Sequence, residues 1–368
     1  MMTDQQNRLA RLRAVLRQNS LDCLIVTGDA NRFYLSGFTG DTGVLIIGWD
    51  EQLLFTDFRY LEQAGAEAPL YELKRCPLQL LPEAGRWLAE RSTYRIGFES
   101  DHLSFGSYGL MTESLPPERL APTAGMVEAL RALKDAEEIR RITDAAAIAD
   151  RAWHRLLPSI REGAAEMDLA AELDYLMRGE GAEASAYATI VASGPRSALP
   201  HASPTRKCLS HGDLVIFDFG AVSQQYRSDM TRTVVMGEAG AETRKIYDVV
   251  LEAQRRALAA LRPGMTGREA DAVARQYIEE AGYGENFGHG LGHAVGIEIH
   301  ENPRLSLTGE TILRPGMVVT VEPGIYLPGV GGVRIEDLAV ITETGMTNLT
   351  SSAKELWEVR GERWDFSV

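Results

Sequence analysis

Short apolar runs alternate with amphipathic stretches of helical length along this chain. Leu9, Leu12 and Leu16 recur at helical spacing and predict an opening helix with one buried face. Apolar runs follow at residues 23–26, 44–47 and 53–55, separated by turns containing Gly and Asp and by helix-like stretches such as residues 78–90. Strands interleaved with helices predict an α/β domain over residues 1–125, and the proline-punctuated segment 116–122 reads as its end. A long charged, Ala-rich helix is predicted over 126–154. Helices at 167–178, 243–261 and 267–281 then accompany strands at 189–192, 213–219, 232–235, 317–321 and 334–341, with Arg-Pro-Gly turns at 262–264 and 314–316. This predicts a second, α+β domain over 126–368.

Composition narrows the partners. At 368 residues the chain can fill two cores, and 45% hydrophobic with 24% charged residues is ordinary for a soluble globular protein. The net charge of −14, with no large Lys/Arg cluster, argues against nucleic acid. No window approaches the roughly 18 apolar residues of a membrane span, and the opening residues lack the apolar core of a leader, so no membrane partner and a cytoplasmic location are expected. Cys23, Cys76 and Cys208 are odd in number and far apart, which suits reduced thiols. Gly37, Gly40 and Gly43 are spaced by three and do not spell a dinucleotide-binding G-x-G-x-x-G.

The chemistry lies in the second domain. Asp218 and Asp229 share a centre midway between Ser223 and Gln224, so a hairpin with arms 214–222 and 226–236 would set the two acids directly opposite each other. Glu322 and Glu336 likewise centre on Gly329, inside the turn-rich stretch 327–332. Facing like charges repel, and buried unpaired charge is costly, so four converging carboxylates imply cations between them. His201, His289, His293 and His300 lie near these acids in sequence or beside Gly/Pro-rich turns. The His289-Gly-Leu-Gly-His293 run lacks the Glu of a zincin helix, and its glycines disfavour a helix, leaving one imidazole free to coordinate while the other lines a pocket.

Other features carry blander readings. Asp218-Phe219-Gly220 spells a kinase triplet without the remaining kinase elements. Residues 134–138 read as a solvated helix face with i,i+4 pairing. Trp153, Trp357 and Trp364 read as packing or interface residues, and His102, His154 and His211 join no constellation.

Together these residues resemble the pita-bread metallopeptidases, which include methionine aminopeptidase, aminopeptidase P, prolidase and creatinase. The resemblance runs through Ser193-Gly-Pro-Arg-Ser-Ala-Leu-Pro-His201, the Asp218 and Asp229 segments, His289 to Glu301, Val321-Glu-Pro-Gly-Ile-Tyr326 and Gly332-Val-Arg-Ile-Glu-Asp337. Residues 1–125 resemble the creatinase-type N-terminal domain. The resemblance implies five metal ligands, Asp218, Asp229, His293, Glu322 and Glu336, all present here. That disfavours the metal-free creatinases and the degenerate, non-catalytic binding proteins of this fold, while methionine aminopeptidases usually lack the first domain.

What remains is hydrolysis of the Xaa-Pro bond by a proline dipeptidase, with aminopeptidase P acting on longer peptides as the alternative. Four carboxylates and one imidazole suit two divalent ions, Mn foremost and Co or Zn next. The resemblance further implies that Glu322 moves a proton as well as binding metal, and that Asp218 helps place the substrate amine. It implies that His201 and His300 contact the carbonyl and the proline side, that Tyr187, Tyr326 and Arg334 support the pocket, and that His289 stabilises the tetrahedral intermediate. For Arg334, a role in holding Glu336 stands beside direct substrate contact. The expected partners are a proline-containing peptide as substrate and a second copy of the chain, in a homodimer whose N-terminal domain closes over the partner's active site.

Overall fold

A computed structural model of the chain describes residues 4–77 and 79–360; Trp364 lies outside the described residues. The chain divides into two compact units, residues 1–131 and 132–368.

In the first unit the opening helix Asp4–Gln18 buries Leu9, Leu12 and Leu16, the face that their spacing predicts. Six strands form one sheet in the order Glu72–Arg75, Gln52–Thr56, Val44–Gly48, Cys23–Val26, Ile96–Glu99, Leu120–Thr123. The Cys-Leu-Ile-Val strand is buried throughout and central, parallel to Ile96–Glu99 and antiparallel to Val44–Gly48, because it offers apolar side chains to both faces. The proline-rich segment lies within this unit: Pro117–Arg119 makes a single 3-10 turn, and Leu120–Thr123 is the edge strand, a place that tolerates Pro122.

The helix predicted over 126–154 is two helices, Met126–Arg131 and Ala136–Leu156. A capping box divides them: the Asp135 carboxylate accepts the Glu138 amide at 2.9 Å, and the Glu138 carboxylate accepts the Asp135 amide at 3.0 Å. The stretch 134–138 is therefore not a solvated face. Lys134 is buried and pairs with Glu301 at 3.0 Å, and buried Glu138 accepts the Tyr226 hydroxyl at 2.9 Å.

The second unit is built on two larger sheets. One has the order Trp357–Val359, Met230–Met236, Leu214–Phe219, Ile190–Ser193. Helices Ala136–Leu156 and Glu166–Gly179 share its core, where Trp153 packs its ring on Phe217, Phe219 and Trp357 at centroid distances of 5.1, 5.7 and 5.9 Å. The other has the order Glu301–Leu305, Gly292–Ala294, Val318–Val321, Asp337–Ile341, Met346–Asn348, and shares its core with helices Ala241–Ala260 and Gly267–Glu280.

Both predicted hairpins are present, with different outcomes for register. In the first, Asp218 lies opposite Thr231, not Asp229, and Ser223 lies opposite Tyr226. The turn is centred between Gln224 and Gln225, one residue later than predicted. Both glutamines adopt positive φ, 48° and 70°, as two-residue hairpin turns require, and the Glu183 carboxylate accepts both of their amides. The resulting slip of two residues preserves the face, since strand side chains alternate with period two, and the two aspartates remain on one side. In the second hairpin Val321 lies opposite Asp337 and Gly324 opposite Arg334, a single register that brackets Glu322 and Glu336 as predicted, with Gly329 at φ 79° in the turn. The strand predicted over 334–341 is nonetheless interrupted at 335–336. The Glu322 amide donates to Leu291 and the Glu336 amide to Thr231, so each acid is held by a neighbouring segment and not by its cross-strand partner.

Candidate metal centre

The two hairpins bring Asp218, Asp229, Glu322 and Glu336 to one cavity of about 520 Å³, and the Gly292–Ala294 strand adds His293. The glycines around this imidazole have a steric reason: a Cβ on Gly292 would stand 2.1 Å from the Thr320 carbonyl oxygen. Backbone approach on that scale needs glycine. Ligand-type atoms of Asp229, His293 and Glu336 all lie within 4.8 Å of one another. The His293 Nε2 stands 3.5 Å from Asp229 Oδ2 and 3.3 Å from Glu322 Oε1.

Hydroxyls orient the acids. The Tyr187 hydroxyl reaches Asp218 at 2.5 Å and also contacts Asp229. Thr231 donates to Glu336 Oε2 at 2.7 Å, and Thr320 to Glu322 Oε1 at 3.0 Å while also accepting the His293 amide. Arg334 is buried, and it pairs with Asp218 at 2.6 Å rather than with Glu336; its link to Glu336 runs through Thr231, whose oxygen accepts Arg334 Nε at 3.0 Å.

Burial dominates the electrostatics. It pushes Asp229 and Glu336 well above the usual carboxylate range, with neighbouring carboxylates adding to the effect, and pushes Glu322 up to about 7. Burial also lowers His293 to about 3, helped by the adjacent His300 charge, so its imidazole is neutral and able to donate a lone pair. Carboxylates that repel and resist ionisation when nothing neutralises them, set beside a neutral imidazole, fit divalent cations.

The remaining predicted residues divide into lining and support. His201, His289 and His300 line the cavity, and the His300 ring meets His293 edge-on at 4.4 Å. Tyr326 is not in the wall. Its hydroxyl stands behind it, 2.9 Å from His289 Nε2 and 2.8 Å from Arg334. Burial lowers His289 to about 4. Residues that the sequence did not single out also belong here: Arg304 and Ser306 line the cavity, while Thr231 and Thr320 orient Glu336 and Glu322. A cation four residues beyond His300 was the available signal for Arg304.

His102, expected to stand alone, joins Glu99 and Glu128 in the first unit. Its Nε2 lies 2.7 Å from Glu128, and buried Glu99 accepts the Thr27 and Gly28 amides at 2.7 and 2.8 Å.

Residues 140–343 match the model of metallopeptidase family M24, and residues 8–133 match that of the creatinase/prolidase N-terminal domain. The chain is similar to the Xaa-Pro dipeptidase of Pyrococcus furiosus, 41% identical over 95% of this chain and 99% of the relative. Its fold resembles that of a solved Xaa-Pro dipeptidase from Bacillus anthracis, with TM-score 0.93 and 44% identity over 96% of this chain and 99% of the other. It also resembles an X-Pro aminopeptidase from Thermotoga maritima, with TM-score 0.89 and 37% identity over 96% and 100%. With its site on paired hairpins, a pita-bread catalytic domain following a creatinase-type domain in the sequence, and matches of this extent, the chain belongs to metallopeptidase family M24.

Proposed function

We propose that this protein is a proline dipeptidase that cleaves the Xaa-Pro bond with two divalent cations, Mn foremost, held by Asp218, Asp229, His293, Glu322 and Glu336. The observation that supports a dipeptide over a longer chain is Arg304, an exposed cation lining the same cavity as the four acids and the imidazole. A dipeptide ends in a carboxylate just beyond proline, and a guanidinium recognises that group. In a longer peptide the position holds a neutral amide. The relatives named Xaa-Pro dipeptidase point the same way, while the likeness to the Thermotoga aminopeptidase keeps the longer substrate as the competing outcome.

The cations supply Lewis acidity towards the scissile carbonyl. Xaa-Pro is a tertiary amide with no N–H, so recognition rests on the amine, the carbonyl and the ring. In this reading Asp218 helps place the amine, His201 and His300 contact the carbonyl and proline side, and His289 lines the cavity beside the tetrahedral intermediate. The tilt of His289 is fixed by Tyr326 behind it, and Arg334 anchors Asp218. Glu322, its Oε1 held by Thr320, carries a proton from the attacking water to the proline nitrogen. The working form is a homodimer.

The test compares an Xaa-Pro dipeptide with the same sequence extended beyond proline, in Mn-loaded protein and in Arg304→Gln. Dipeptidase activity predicts sharply slower hydrolysis of the longer peptide, and a KM for the dipeptide raised by about tenfold or more in the variant, as for loss of a charged hydrogen bond worth roughly 1.5–3 kcal/mol. Equal rates on both peptides assign the chain to aminopeptidase P instead. Light scattering tests the dimer.

A further inference from the structure

Between strands Ile190–Ser193 and Leu214–Phe219 the chain leaves the sheet in an excursion that carries His201 to the cavity. We propose that Glu166, the first residue of helix Glu166–Gly179, is a positioning residue that holds His201 in place through this loop; the proposal rests on the role given to His201 above.

The Glu166 side chain is fully buried, with 0% exposure. Its Oε1 accepts the Ser193 amide and hydroxyl, both at 2.8 Å. Its Oε2 accepts the Thr205 amide at 3.0 Å, the Thr205 hydroxyl at 2.8 Å and Arg196 Nε at 3.2 Å. One carboxylate thus closes both feet of the loop, at Ser193 and Thr205, and grips Arg196 in its first turn. A carboxylate at a helix N-terminus would ordinarily serve its own helix. Here every bond given to the Glu166 oxygens goes to the loop.

The far side of the loop is fixed to the metal hairpin. The Gly332 amide donates to Ser197 Oγ at 2.8 Å, and Arg334 donates to the carbonyl of Pro200, next to His201, at 3.2 Å. His201 itself is exposed, and its side chain makes no hydrogen bond among the described residues. Its place therefore comes from the loop backbone, held at the base by Glu166 and at the tip by residues 332–334. Burial opposes ionisation of Glu166, and the hydrogen bonds from Thr205 and Ser193 outweigh it, so the carboxyl stays below its ordinary range and charged at neutral pH. Small displacements of a group that contacts substrate cost large factors in rate.

A double-mutant cycle with the Mn-loaded full chain and an Xaa-Pro dipeptide tests this. Glu166→Gln cannot accept from all five donors, and is expected to lower kcat by about tenfold or more, leaving the Mn dissociation constant unchanged. In a His201→Ala background the same change should cost nothing further, because there is no imidazole left to place. Limited trypsin digestion gives a readout free of activity, with faster cleavage after Arg196 and Arg206 in Glu166→Gln. Additive losses, or an unchanged kcat in Glu166→Gln, overturn the proposal. If Glu166→Gln does not fold, Thr205→Val, which removes one donor from the loop foot, runs the same cycle. Full turnover in His201→Ala removes the role of His201 and this proposal with it, while Mn uptake and Xaa-Pro cleavage then stand or fall separately.

Discussion

At the scale of single residues, the hydroxyl of Thr231 stands between opposite charges, donating to Glu336 and accepting from Arg334. Thr231→Val keeps the shape and removes both bonds, leaving Glu336 free to rotate. Partners of this kind typically account for 10–100-fold in metal affinity, so chelator competition should show Mn binding weakened by about that factor, with the circular dichroism spectrum retained. Unchanged affinity would mean that the cations alone orient Glu336. Glu166 gives a pH-dependent prediction. Its folded carboxyl lies below the ordinary value of 4.5, so it contributes stability above that value, and this is lost as pH falls through the folded pKa. The wild type should lose more melting temperature than Glu166→Gln between neutral pH and roughly pH 3; parallel acid limbs would refute it. Chemical type and hairpin spacing made the four acids legible in the sequence, since carboxylates converging there repel one another unless a cation lies between them, whereas His293 was singled out among four histidines by the family resemblance. Thr231 and Glu166 were not legible, because an ordinary Thr or Glu gains its meaning from partners far away. Glu336 is 105 residues from Thr231, and Arg196 is 30 from Glu166.

Elements show where period and turn chemistry part company. Alternation with period two located both hairpins and the shared face of each acid pair, but not the registry of the first, because Gln224 and Gln225 carry no turn signature. Their positive φ is supported from outside by Glu183, a residue that local sequence does not reveal. Replacing the pair with Gln224→Asn and Gln225→Gly should therefore stabilise the protein by about 1 kcal/mol, since both new residues accept this conformation more readily. The loss of the exposed Gln225–Glu183 side-chain contact offsets part of the gain. A higher melting temperature with unchanged kcat is the expected result; a lower one would show that the Gln225 contact outweighs the relief of strain. The helix over 126–154 failed for the opposite reason. Its break was written locally, in Asp135 and Glu138, but the same letters also fit i,i+4 pairing, and burial of Lys134 against Glu301 decides between them.

For the whole molecule, the two units differ in what their buried charges require. In the second, four acids converge on a cavity whose buried guanidinium, Arg334, is committed to Asp218. In the first, Glu99 is satisfied by backbone amides and Asn31, and Glu128 by His102 and Asn31. Removing metal should thus act on one unit and spare the other. Ligands that bind only the folded state stabilise it by mass action, about 2.7 kcal/mol per site at a hundredfold excess over Kd. Stripping the protein with a chelator should lower protection against amide exchange along the strands Met230–Met236, Gly292–Ala294 and Asp337–Ile341, which carry or adjoin the proposed ligands. The sheet of residues 23–26, 44–48 and 96–99 should exchange as before. Mn should restore the protected strands, and Mg should do so less well, since it demands near-octahedral oxygen coordination and the imidazole of His293 is a poor ligand for it. Equal loss of protection in both sheets would refute the distinction, and would point to a cation held at Glu99, His102 and Glu128 as well.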